Sequence, residues 1–368
     1  MTETEAAILG AVTMDEPWGL VESFSTFKRE HPDAVNRGMD EVAARLARHG
    51  VPATVHTPSL YLSLPGAARV EAGGRTFRAK PPAYSADARG GMTGRIVYIG
   101  ANSADSIDDI FDRSFDTGGS AAARAKGAIV ISEGFASPLM VSQFEAMGAA
   151  GVIAINPGID IHWGICTTVW GVPDLDDLPR KPTIPAVAVN KPDGEALKAL
   201  ADTGAEVTIF TEMEEGWFAS KLVDVTIPGT EEPEKFVLLH GHLDAWDVGV
   251  GDNAVGDAAM LEIARVLWAN RAHLKRSVRI CWWPGHSTGR YAGSTWFADR
   301  FALDLEENCV AQVNCDSPGC RWATEFTGLS RMSETDTLIS EVIQEVAGKV
   351  AQGERPHRAG DYSFNNIG

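Results

Sequence analysis

The sequence lacks any run of about 18 apolar residues, so no segment is read as a membrane-spanning helix. Its opening, MTETEAAILGAVTMDEPWG, has neither a basic start nor an apolar stretch behind it and is not read as a secretory signal. Cysteine is scarce. Cys166, Cys281, Cys309, Cys315 and Cys320 are odd in number and show no C-x-x-C spacing, which suits reduced, mostly buried thiols and a cytoplasmic location. Basic charge is also short: 32 Lys and Arg against 50 Asp and Glu leave a net charge of −18. Such a surface repels a phosphate backbone, so nucleic acid is not an expected partner. The acidic clusters at 174–177 and 212–216 are read as polar connecting stretches. There is no internal repeat and no low-complexity tract.

What is present is enough chain for two cores: 368 residues, 44% of them hydrophobic. From Trp18 to Val51 the pattern predicts one helix, with Phe24, Phe27, Val35, Met39, Val42, Leu46 and His49 on a stripe and Gly50 as its stop. From Thr57 to Thr211 short β-rich runs take over, at GRIVYIG (94–100), KGAIVIS (126–132), AGVIAINPG (150–158) and IPAVAVN (184–190). After Gly229 strands and helices alternate: EKFVLLHGHLDAWD, the helix from Asp252, RSVRICWWP, FADRFALDLEEN and CVAQVNCDSPG. That order predicts an α/β, doubly wound mixed sheet with ligands beyond the carboxyl ends of its strands. The expected domains are 1–56, an insert at 57–211, and 212–368.

The polar residues fall at three strand ends. His242-Leu-Asp244 closes the first, and residues i and i+2 share a face, so Asp244 can orient the imidazole. Asp252-Asn253 opens the next helix, and Asn314-Cys315-Asp316 closes the third strand. An imidazole and two carboxylates at one sheet edge suit a divalent cation. Taken singly, His242-x-Asp244 is an ordinary hydrogen-bonded pair, Asp252 a helix cap and Asp316 a turn former. CWWPGHSTGRYAGSTW (281–296) adds His286 and Ser287 at the turn after the second strand.

Gly241-His-Leu-Asp-Ala-Trp, the stretch Gly251 to Arg265, Gly293-Ser-Thr-Trp and Asn314-Cys-Asp-Ser resemble the co-catalytic zinc exopeptidases, in their aminopeptidase Y and glutamate carboxypeptidase II branch. Gly94-Arg-Ile-Val, Lys126-Gly-Ala-Ile-Val, Gly148-Ala-Ala-Gly-Val-Ile and Ile184-Pro-Ala-Val-Ala-Val resemble in turn the β-rich protease-associated domain that this branch carries as an insert. The resemblance implies that His242 and Asp316 bind one metal, that Asp252 bridges to a second, and that Asp244 orients His242. The family's paired glutamates, a general base and a ligand of the second metal, are replaced here by His286 and Ser287. Imidazole serves as a base near neutral pH or ligates metal itself, and it also caps turns. A serine hydroxyl is a poor zinc ligand. His357 and Asp361, in His357-Arg-Ala-Gly-Asp361-Tyr-Ser-Phe, match the family's substrate-side loop, and Ser287 joins them as a substrate contact. The family's last histidine ligand has no counterpart, and the sheet is expected to be completed by a second polypeptide or cleaved fragment.

The leading expectation is a metal-dependent hydrolase of an amide or peptide-like bond in a small molecule or short peptide. It would use one or two zinc ions, with His286 as the altered acid–base residue. Two others stand beside it. Loss of the glutamates redirects the site to lyase or redox chemistry on iron or manganese, or the fold is a non-catalytic binding scaffold.

Overall fold

A computed structural model describes residues 1–102, 114–319, 321–322, 331–350 and 362–364. The chain divides into two compact units: Met1–Ser59, Ala219–His286 and Gly293–Gly368 form one, and Leu60–Phe218 with Ser287–Ala292 form the other.

The chain opens with helices α1 (Glu3–Gly10), α2 (Asp15–Phe24) and α3 (Pro32–Arg48). The single helix expected over 18–51 is therefore two. The pyrrolidine ring of Pro32 disfavours helical geometry in the residue before it, and His31 is extended (φ −85°, ψ 142°). Its Nδ1 caps the new helix by accepting from the Asp33 N–H at 3.2 Å. Residues 25–31 thus lie outside regular helix.

Strand β1 (Thr54–His56) follows, and then the second unit. This unit is built on β2 (Ser59–Ala72), β3 (Arg75–Ala79), β4 (Met92–Tyr98), β5 (Ile129–Glu133), β6 (Gly151–Ile155), β7 (Ala186–Val189) and β8 (Glu206–Ala219). Its sheet has the order β3-β2-β8-β4-β5-β6-β7, with β4 to β7 parallel and β8 antiparallel to β4. Ile96, Ile129, Ile131, Ile153, Val187 and Ile209 make a continuous apolar core. The acidic stretch 212–216, expected as a connection, lies inside β8. Burial alternates along that strand, so Glu212 and Glu214 occupy its wetter face, while Glu215 turns to the other and is half-buried against Tyr61, Ser63 and Lys181.

The first unit resumes with β9 (Leu222–Ile227), β10 (Glu232–His242), helix α4 (Val255–Ala269), β11 (Arg276–Trp283), the short turn α5 (His286–Gly289), α6 (Ala292–Arg300), α7 (Ala302–Asn308), β12 (Cys309–Asn314) and α8 (Asp336–Ala347). Its sheet runs β1-β9-β11-β10-β12. β10, β11 and β12 are parallel, while β9 and β1 run against them. The period of two sends Ile280 and Trp282 to one face, where Leu20, Phe24, Met39, Leu46 and Leu261 cover them. Cys281 and Trp283 go to the other face, against Phe297 and Leu305. With both faces covered, the carboxyl half of β11, Ile280 to Trp283, is an unbroken apolar run. The expected doubly wound mixed α/β architecture is the one observed in this unit. Among the described residues β12 lies at the edge, with Val310 45% and Val313 48% exposed.

Candidate metal centre

In parallel strands that pair in register, the carboxyl ends finish on one edge. His242 on β10 is level with Trp283 on β11, and His240 with Asn314 on β12. His242 is the last residue of its strand, His286 lies just beyond β11, and Asp316 just beyond β12. Asp252 comes from the turn that precedes α4, where the Asp252–Asn253 peptide is cis. Gly241 makes the close packing possible. A Cβ there would stand 2.6 Å from the Cys315 carbonyl oxygen and 3.0 Å from the Asn253 amide nitrogen, so no other residue fits without moving backbone.

Three of these side chains converge. His242 Nε2 lies 3.0 Å from Asp252 Oδ1 and 3.3 Å from Asp316 Oδ1. The His286 ring stacks on His242, with centroids 4.0 Å apart and planes 10° from parallel. Donor atoms of His242, His286 and Asp316 all fall within 4.8 Å of one another. Yet His242 Nε2, fully enclosed, makes no properly directed hydrogen bond to either carboxylate. Donor atoms about 2.0–2.2 Å from a tetrahedral zinc stand roughly 3.3 Å from each other, so these separations fit a shared cation. A buried ring nitrogen with two carboxylates beside it and no bond to either is the arrangement a cation completes.

The electrostatics agree. Burial opposes a charge on His242, but Asp316 and Asp252 hold its pKa well above the ordinary imidazole value. Burial likewise works against the two carboxylates, and His242 nevertheless keeps both below their usual range, Asp316 far below. Without a metal, an imidazolium supplies the positive charge that these carboxylates demand. His286 goes the other way: burial and the neighbouring His242 lower its pKa, against the pull of Asp244, Asp316 and Asp252. It is the neutral imidazole of the pair.

Two expectations change. The orienting partner of His242 Nδ1 is the main-chain carbonyl of Asp244 at 2.7 Å, in place of its carboxylate. The backbone turns so that the carboxylate accepts the His286 N–H at 2.9 Å, and Asp244 therefore serves both histidines. Ser287, expected to meet substrate, is only 4% exposed and has little surface to offer. His357 and Asp361 lie outside the described residues, as does Cys320.

Sequence reading passed over Asn253. Its amide donates to the carbonyls of His242 (3.1 Å) and Cys315 (2.9 Å), and its oxygen accepts the Ser317 N–H at 3.0 Å. One side chain thus ties together the three loops that carry the ligands. The one available signal was its place directly after Asp252. Asp257, in the first turn of α4, was given no role; its carboxyl is fully buried with no hydrogen-bond partner, and burial drives its pKa far up.

Residues 223–366 match the model of Peptidase family M28. A probable glutamate carboxypeptidase, VP8 of Zea mays, is 28% identical over 203 residues, which cover 50% of this chain and 28% of that protein. The chain thus spans well under a third of that curated relative. Among solved structures, the Peptidase M28 precursor of Shewanella amazonensis SB2B superposes with a TM-score of 0.70 at 18% identity, covering 99% of this chain and 84% of its own. BSAP, a zinc aminopeptidase from Bacillus subtilis, gives 0.66 at 18% identity, with 96% and 82% covered. At that identity the likeness is one of fold.

Proposed function

We propose that this member of the M28 zinc exopeptidases is a metal-dependent hydrolase of an amide or peptide-like bond, acting on a small molecule or short peptide. The observation that carries the reading is the enclosed His242 Nε2, flanked by Asp252 and Asp316 and bonded to neither. His242, Asp252 and Asp316 would hold zinc, which when bound supplies Lewis acidity to the scissile carbonyl and the attacking water. Asn253 fixes the spacing of the loops. His286, neutral because it is buried beside His242, takes the proton of the attacking water and returns it to the leaving nitrogen. The Asp244 carboxylate holds the His286 main chain in place for that transfer. Ser287 stands where the family's second metal would need a carboxylate, so one ion per site is the proposed count.

A second role for His286 has its own support: its ring nitrogens lie among the candidate donors, so it would serve as a ligand in place of a base. His286→Ala separates the two. Zinc retained with turnover lost supports the base; zinc lost supports the ligand. The hydrolase reading is tested on zinc-loaded protein with a panel of N-acyl and aminoacyl amides. Metal-dependent amine release is expected, and full zinc occupancy with no hydrolysis across the panel overturns it. Elemental analysis that finds iron or manganese in place of zinc favours the lyase or redox reading. We also propose, from the exposed Val310 and Val313 on edge strand β12, that this edge accepts a further polypeptide strand.

A further inference from the structure

We propose that the segment Lys28-Arg29-Glu30, with Arg29 at its centre, is a clamp that sets the spacing of His242 and Asp252; this rests on the metal site proposed above. Arg29 sits between α2 and α3 with none of its surface exposed. Its guanidinium donates from Nε to the Leu243 carbonyl (2.9 Å), from Nη1 to Val248 (2.8 Å) and Phe24 (3.2 Å), and from Nη2 to Gly249 (3.1 Å). Leu243 follows His242 directly, and Gly249 precedes Asp252 by three residues. The planar fork therefore grips both ends of the one loop that joins two ligands. The neighbours grip its middle. The Arg29 N–H donates to the Asp247 carbonyl, and the Arg29 carbonyl accepts from Ala245 N–H. Lys28 Nζ pairs with Asp247 at 3.0 Å, and Glu30 Oε1 accepts the Asp247 N–H at 2.7 Å.

A buried arginine usually faces a carboxylate. Arg279, on β11, does so, with Nε and Nη2 on Asp224 at 3.0 and 2.6 Å. Arg29 spends its hydrogen bonds on carbonyls, so what it secures is backbone position. Charge and clamp make opposite demands here. A cation this close to Asp244 and Asp252 repels a bound metal ion, so the field alone weakens metal binding. Removing the charge would then tighten binding, whereas removing the clamp would loosen it.

The test measures zinc affinity of the whole chain by chelator competition, alongside thermal unfolding, for wild type, Arg29→Gln, Arg29→Lys and Glu30→Ala, with Arg279→Gln as control. The clamp predicts at least a tenfold loss of affinity in folded Arg29→Gln and only partial recovery in Arg29→Lys, whose single point charge cannot span both loop ends. Arg279→Gln should lower stability and leave zinc affinity unchanged. Affinity equal to or tighter than wild type in Arg29→Gln, or full recovery in Arg29→Lys, overturns the proposal. Should Arg29→Gln fail to fold, Glu30→Ala decides: a two- to fivefold loss supports the clamp, and an unchanged affinity overturns it. A wild type that takes up no zinc overturns both this and the hydrolase reading. One that takes up zinc and hydrolyses nothing overturns the hydrolase alone.

Discussion

In the unit of residues 60–218, Glu133 accepts from Tyr98 and Lys198, and Glu215 accepts from Tyr61, Ser63 and Lys181. At the strand ends of the other unit, His242 Nε2 and both oxygens of Asp257 are enclosed with no hydrogen bond. The unit of residues 60–218 does leave buried atoms unmatched, but among its described residues they are the Ser132 hydroxyl and the Gln143 amide oxygen, both neutral. Leaving an ionisable group unmatched costs far more than leaving a hydroxyl so, and a fold tolerates that cost where a ligand repays it. The contrast is between carboxylates closed on donors of their own and ionisable groups shut in without a directed hydrogen bond.

The sharpest break of this contrast is His242→Ala, which should abolish stoichiometric zinc and reduce turnover at least about 1,000-fold. Retention of zinc, read by elemental analysis, would move the site elsewhere. Chelation of the loaded protein comes next. By mass action a ligand at 1,000 times its Kd stabilises by about 4 kcal/mol. Its removal should accelerate amide exchange at 242–254 and leave β5 and β6 unchanged, as read by hydrogen-exchange mass spectrometry. Equal change in both units would erase the distinction.

Asp257→Asn tests the second unmatched group. Burial raises the folded pKa of Asp257 above its usual 3.8, so the native state keeps a proton that the unfolded chain has released. Stability therefore falls as pH rises from 3.8 towards the folded value, by about 1.4 kcal/mol per pH unit for one proton. The asparagine variant lacks this slope and should be the more stable at pH 7 by about 1–3 kcal/mol, measured by denaturant titration at several pH values. If His286 is the base, kcat/KM should fall about tenfold per pH unit on an acid limb whose midpoint lies below 6.5, since its pKa is lowered and a nearby cation would lower it further. A midpoint above 6.5 would remove His286 from that role. The smallest effect is expected in the closed network: Glu133→Gln should cost less than about 1 kcal/mol in thermal unfolding and leave turnover untouched.

Much of the centre was legible because parallel strands announce themselves as apolar runs and expose polar groups only where they end. His242, Asp252 and Asp316 could be read that way, and His286 stood out as a polar residue after a buried strand. Arg29 could not be found. A basic residue among Lys28 and Glu30 reads as solvated surface, and only the break before Pro32, which also split the expected helix, folds it inward. Asp257 was hidden for a similar reason, since an acid in a helix's first turn has an ordinary explanation in the helix dipole. Asp244 was assigned to the correct neighbour through the wrong atom, because which of its oxygens meets His242 depends on a backbone turn that residue spacing does not encode.

The strand orders of the two sheets bear on how the polypeptide assembles. β1 pairs with β9 across about 170 residues of chain (Thr54 with Asp224), and closing so long a loop costs roughly 3 kcal/mol more entropy than closing a four-residue turn. β2 and β8, the first and last strands of the intervening unit, are sheet neighbours. Once that unit has collapsed, its two exits emerge side by side and most of the closure has already been accomplished. Pulse-labelling during refolding should then find β2 and β8 protected before β1 and β9, so that a unit contributing none of the three proposed metal ligands governs when the chemistry can first be built.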